Sequence, residues 1–177
     1  SGSEDLINKK TNTFVATKKP LMIIRQENDS VYITGDTLFS ARLSDLNVKK
    51  DSLEKDTIQG IKLVNLKAGN DKDSTNRYYQ AFHNVRIFSD SLQAVCDSMF
   101  YSFQDSVFRL FTDPVIWAKE SQITGDTILL YTKNKKADHL RVFDNSFLVN
   151  EVQPEVFNQI KSSRMDGYFK EGTLDSV

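Results

Sequence analysis

The chain has 177 residues, 39% of them apolar and 27% charged, with 23 basic against 24 acidic side chains and a net charge of −1. Such a length suits one domain of roughly 100 to 200 residues, and the even charge balance excludes an acidic disordered tail and a basic nucleic-acid binder, so no nucleic acid is expected as a partner. The single cysteine, Cys96, excludes an internal disulfide and leaves no second thiol for a zinc cluster or a redox pair.

In chain order, Ser1-Gly2 reads as a cloning scar and residues 1–12 as a flexible N-terminal segment. Residues 13–177 read as a single domain of short segments rich in β-branched and aromatic residues, separated by Asp, Ser, Thr, Asn and Gly. Strands are expected over 13–17, 21–25, 30–34 and 38–43. The charged, weakly patterned stretch 44–60 reads as a hairpin insertion, followed by a strand at 61–66 and an exposed loop at 67–75. Further strands are expected over 78–88, 92–95, 99–103, 107–112, 115–119, 128–132 and 140–152. Only 154–165 places apolar residues, Val156, Phe157 and Ile160, at helical spacing, over about one turn and a half, and its state stays open. No run reaches the roughly 20 apolar residues of a bilayer-spanning helix.

A repeat underlies these segments. Ile33-Thr34-Gly35-Asp36-Thr37-Leu38 returns as Ile123-Thr124-Gly125-Asp126-Thr127-Ile128 and, more loosely, as Ile87-Phe88-Ser89-Asp90-Ser91-Leu92. The first two copies also share an upstream element, Pro20-Leu21-Met22-Ile23 and Pro114-Val115-Ile116-Trp117. Nine of the seventeen aspartates are followed by Ser or Thr and then an apolar residue. Asp and Ser side chains can hydrogen-bond the backbone amides that a chain exposes in turning a corner, after which the apolar residue re-enters the core. Each copy therefore predicts a corner followed by a strand, and the regular spacing predicts a sandwich, jelly roll or solenoid rather than an α/β enzyme scaffold.

The ITGDT repeats, the run IFSDSLQAVCDSMFYS at 87–102, PVIWAKESQITGDTI from Pro114 and FNQIKSSRMDGYFKEG at 157–172 together resemble the OstA-like proteins, the periplasmic lipopolysaccharide-transport family associated with organic solvent tolerance. The likeness runs from about Thr13 onward and is strongest from Tyr78 to Val177; its motifs are structural repeats, which specify a fold better than a ligand. The resemblance implies an all-β, antiparallel, jelly-roll-like β-taco of short repeated strands, folded over an apolar interior that holds the acyl chains of lipopolysaccharide or lipid A. It also implies other lipopolysaccharide-transport components as partners through strand edges, and the periplasm of a Gram-negative bacterium as the location. The 44–60 insertion departs from the family pattern. Asp175-Ser176-Val177 repeats the corner signature, so a further repeat beginning near 165 is expected, with head-to-tail self-association through an open strand edge.

Corner spacing and strand alternation divide inside from outside. An apolar residue two positions after a corner Asp gives Val31, Leu38, Leu92, Met99, Val107 and Ile128, and the period of two extends this face to Ile33, Ala94, Tyr101 and Leu130. These ten are the expected lipid-facing interior, with Gln93 and Ser102 in the outward register. Arg109 breaks the pattern and is a candidate phosphate contact at the groove mouth. Several strands are apolar on both faces, Phe100 standing opposite Met99 and Tyr101, which fits either an acyl-chain groove or an outer face covered by the insertion.

Catalytic signatures are missing: there is no G-x-S-x-G elbow, H-E-x-x-H helix, P-loop or G-x-G-x-x-G turn. Neither a cofactor nor a metal site is expected. His83 reads as a strand-surface residue, and His139 and Asp138, as strand neighbours, should point to opposite faces and form no dyad. Two functions stay open, a non-enzymatic lipid-binding module and a structural or assembly repeat that associates through strand edges without a lipid.

Overall fold

The structure, a computed structural model, describes residues 5–8, 13–25, 30–50, 76–134 and 136–177. In chain order the elements are β1 (Asp5–Asn8), β2 (Thr13–Thr17), β3 (Leu21–Arg25), β4 (Ser30–Thr34), β5 (Thr37–Arg42), α1 (Leu43–Lys50), β6 (Arg77–Phe88) and β7 (Gln93–Ser102). They continue with β8 (Val107–Phe111), β9 (Val115–Ala118), β10 (Ser121–Thr124), β11 (Thr127–Lys133), β12 (Lys136–Gln153), β13 (Val156–Lys170) and β14 (Thr173–Ser176). The chain is all-β in class, and every pairing among the described residues is antiparallel.

Pairing divides the sheet into two walls. One runs β1-β2-β5-β6-β7-β8-β11-β12-β13-β14. The other runs β3-β4-β6-β7-β9-β10-β12-β13. The long strands β6, β7, β12 and β13 belong to both, and because β7 and β12 do so, β7-β8-β11-β12-β10-β9 closes a barrel-like ring of six. Residues of both walls, among them Leu38, Met99 and Ile128 of the first and Ile33, Ile116 and Ile123 of the second, share one buried cluster. The walls therefore face each other across a common core.

Between β1 and β14, which lie in the first wall alone, the chain crosses from wall to wall along one line of bends, and the residues there alternate in kind. On one set of strands the bend is a left-handed pair, Lys18-Lys19, His83-Asn84, Thr112-Asp113 and Asp144-Asn145, all with φ between 49° and 67°. Asn, Asp and His tolerate that region better than most side chains. On the strands between them the bend is Gly35-Asp36, Asp97, Gly125-Asp126 or Ser163. At each crossing the left-handed strand carries one residue more: 18–20 face 35–36, 83–84 face 97, 112–114 face 125–126, and 144–145 face 163. The arrangement is a bulge repeated in line, and a bulge bends the strand that holds it.

Side chains secure the line. The Asp36 amide donates to the His83 carbonyl at 2.9 Å and Asn84 Nδ2 donates to Asp36 Oδ2 at 2.9 Å. One repeat later the Asp126 amide donates to the Asp144 carbonyl at 3.0 Å and Asn145 Nδ2 donates to Asp126 Oδ2 at 3.0 Å. Strands β2 to β7 thus match β8 to β13 in order and at the bends, with Pro20 matching Pro114, both buried, and Gly35 matching Gly125.

The third hexad turns its corner as a hairpin between β6 and β7, closed by the Ser89 amide and hydroxyl on the Leu92 carbonyl at 2.9 and 3.2 Å. Several expectations are corrected. The strands expected at 92–95 and 99–103 are one strand, because the ladder with β6 resumes on both sides of the bulge at Asp97. The first part of the 44–60 insertion is helical: Ser44 and Asn76 tie the start of α1 at 3.2 Å, Asp45 favours its N-terminal dipole, and Leu43 and Leu46 pack on the outer face of the first wall. Residues 51–60, the expected strand at 61–66 and the loop at 67–75 lie outside the described residues. Within the N-terminal segment read as flexible, Asp5–Asn8 pairs with β2. The stretch 154–165 falls in β13, where pairing with β12 overrides its local helical spacing.

Candidate lipid-facing interior

All ten residues assigned to the interior are buried, none more than 9% exposed. Nine of them lie in the common cluster. An unbroken period of two would have placed Ala94 and Met99 on opposite faces. The bend at Asp97 changes the parity, as Gly35-Asp36 does between Ile33 and Leu38 and Gly125-Asp126 does between Ile123 and Ile128.

Val107 is the exception. Asp105 opens a hairpin turn, with Ser106 at φ 55°, and the residue that pairs with core Tyr101 is Phe108. Val107 pairs instead with Ser102 on the outer face, so the apolar residue entering the core here is the third after Asp and not the second. Arg109 is displaced with it. It pairs with Phe100 on the outer face, its Nη2 donates to Asp105 Oδ2 at 2.6 Å, and its guanidinium lies 5.4 Å from the Phe100 ring centroid. It stands at no mouth of the interior. Of the two outward markers, Gln93 is exposed, whereas Ser102 is buried on the outer face of the first wall.

The two-sided apolar pattern has a local cause. Tyr78, Phe100 and Ala41 form a second cluster with Leu43, and Phe39, Leu46 and Phe111 pack around it. Tyr78 and Phe100 stack at 5.3 Å. Burial, reinforced by the charge of Asp45, pushes the Tyr78 hydroxyl up to about 12. The beginning of the insertion therefore covers part of that face.

Side chains fill the middle of the interior: Ile33, Val85, Leu110, Ile116, Ile123, Ile128, Leu140 and Val142 have no exposed surface. Space opens toward the β2–β3 end, where Phe14, Ala16, Met22, Leu38 and Tyr79 line a cavity of about 360 Å³. At the other end Ile160, the cross-strand partner of buried Leu148, continues the interior face but is 43% exposed. Cys96 is buried against the core, and desolvation pushes its thiol up to about 12, which suits packing rather than nucleophilic chemistry.

Two features escaped the sequence. His139 Nδ1 does reach Asp138 Oδ2, at 2.9 Å, because Asp138 is skipped where the β11–β12 register shifts and does not alternate normally. His139 also stacks on Tyr131 at 4.1 Å. On the outer face of the second wall, Tyr32, Phe88 and Trp117 are exposed in one cross-strand row with Gln93 and Gln122. The intervening polar strand positions conceal that row in the linear chain. No protein-family model and no curated protein matches the chain.

Proposed function

We propose that the chain is a non-enzymatic, OstA-like lipid-binding module that shields the acyl chains of lipopolysaccharide or lipid A during passage through the periplasm of a Gram-negative bacterium. The observation that carries this reading is the apolar opening at the β2–β3 end, where partly buried Phe14, Met22 and Tyr79 extend the core cluster to a cavity of about 360 Å³. Burying eight methylenes there would contribute about 6 kcal/mol, at about 0.8 kcal/mol each, without any polar motif. A chain enters from an end, because the middle is filled; deeper insertion requires the walls to part along the bends.

Other transport components, or a second copy added head to tail, would extend the walls by strand addition. A second reading, assembly without lipid, is favoured by the edges: among the described residues β3 pairs only with β4, and residues 156–162 of β13 pair only with β12 and are exposed throughout.

Mass spectrometry of gently purified protein, combined with photo-crosslinkers at Met22 and Leu38 and controls at Gln93 and Trp117, tests the lipid reading. Lipid A adducts at the first pair and none at the second are expected. Equal labelling would overturn the interior assignment, and protein–protein adducts without lipid would favour the assembly reading.

A further inference from the structure

The outer face of the first wall carries a groove of about 600 Å³, separate from the interior and within the range of small-molecule sites. Its shape follows from one cross-strand row. Small Ser98 pairs with Phe82 on one side and Phe111 on the other, leaving a trough between two rings, and Phe100 closes the floor. The bend residues Asp113 and Asp126 rise at the rim and are, among the described residues, the only charged ones in the lining. Asp113 is exposed on left-handed backbone. Asp126 accepts hydrogen bonds from Asn145 Nδ2 at 3.0 and 3.1 Å, which leaves further lone pairs for a second donor. Arg109 lies outside the lining, its charge held by Asp105 and its guanidinium 5.4 Å from the Phe100 ring centroid, which leaves Phe82 and Phe111 as the rings open to a ligand.

The Phe82 and Phe111 rings attract cations through their quadrupoles, and two carboxylates add a field of the same preference. From this charge complementarity we infer that the groove binds a small organic cation, an ammonium carried on an aromatic or alkyl body. The apolar body lies over Phe82 and Phe111, and the ammonium faces Asp113 and Asp126. Anions, lipid phosphates among them, are repelled by the same rim, so this site is distinct from the acyl-chain opening and stands independently of it.

Two-dimensional NMR of the full chain, titrated separately with benzyltrimethylammonium, benzyl alcohol and phenylacetate, tests the inference. The cation should shift the Thr112 and Thr127 amides and the Phe82 and Phe111 ring signals saturably. Benzyl alcohol should bind about tenfold more weakly, and phenylacetate should leave these signals unmoved. Phe111→Ala should abolish the shifts. Asp113→Asn, which leaves the Asp126–Asn145 bond in place, should weaken the cation several-fold and benzyl alcohol not at all, so the inference stays testable even if Phe111→Ala perturbs the fold. Equal affinity for cation and alcohol, shifts confined to other surfaces, or an unchanged affinity in Asp113→Asn would each overturn it.

Discussion

Gly125 offers the sharpest test of how the bends hold the walls together. A Cβ at this position would overlap Val142 Cγ1 and approach the Asp144 carbonyl oxygen at 3.3 Å. Val142 is fully buried and β-branched, so its χ1 is stiff and the methyl has no free volume to enter. Gly125→Ala should therefore cost about 2–3 kcal/mol, in the upper part of the range for overpacking a filled core. The matching position in the first repeat is looser: at Gly35 the nearest atom to an added Cβ is the His83 carbonyl oxygen at 3.3 Å, which a slight shift relieves. Gly35→Ala should cost about 1 kcal/mol or less. At about 2–4 °C per kcal/mol for a domain of this size, Tm should fall by about 4–12 °C in the first variant and by no more than about 4 °C in the second. Urea unfolding followed by Trp117 fluorescence and circular dichroism gives both values. Combining Gly125→Ala with Val142→Ala should destabilise less than the sum of the two single changes, because the clashing methyl is gone. A Gly125→Ala variant within about 0.5 kcal/mol of the wild type, the usual scatter of neutral substitutions, or one no costlier than Gly35→Ala, would refute the bend packing.

Ser146 is fully buried at the bend of β12 and its hydroxyl has no hydrogen-bond partner among the described residues, so Ser146→Ala should raise stability by about 1 kcal/mol in urea unfolding. His83, held 3.1 Å from Asp97, titrates above the usual 6.5 because of that hydrogen bond and charge; its contribution to stability is complete below 6.5 and is lost as pH rises through the raised folded value. An NMR titration should show the His83 pKa falling back toward 6.5 in Asp97→Asn. The Cys96 thiol, pushed up to about 12 by burial, should resist a disulfide-exchange reagent at pH 8 and react at once when urea is added.

Much of this architecture was legible because the bends rely on short-range chemistry. Gly-Asp-Thr and Asp-Ser mark one half of the bend line in the linear chain, and an apolar residue two positions on locates the core face even where the parity changes. The other half was not visible. His83-Asn84 and Thr112-Asp113 share no residue type with Lys18-Lys19, and what unites them is left-handed backbone, a property of the neighbours to which they are bonded. Asp105 misled for the same reason: a hairpin turn and a bend use one Asp-Ser signature, and only the partner strand distinguishes them, which cost the assignments of Val107 and Arg109. α1 escaped because Leu43 and Leu46 gain their burial from Tyr78 and Phe100, more than thirty residues downstream.

The fixed arithmetic of the bends sets where the chain can vary in length. One residue added at Gly35, Asp97 or Gly125 would rotate every downstream side chain of that strand by half a pleat, exchanging core for solvent in one wall while the other kept its order. Hairpin tips carry no such constraint: the connection between β9 and β10 is two residues long, whereas the one between β5 and β6 spans 43–76 and holds a helix. Divergence in length should thus collect at the rims of the two walls and spare the seam between them. Growth along the seam by a whole six-strand unit, the step that relates β2–β7 to β8–β13, leaves every inward position inward, so a longer protein can be built from the same bends without redesigning its core.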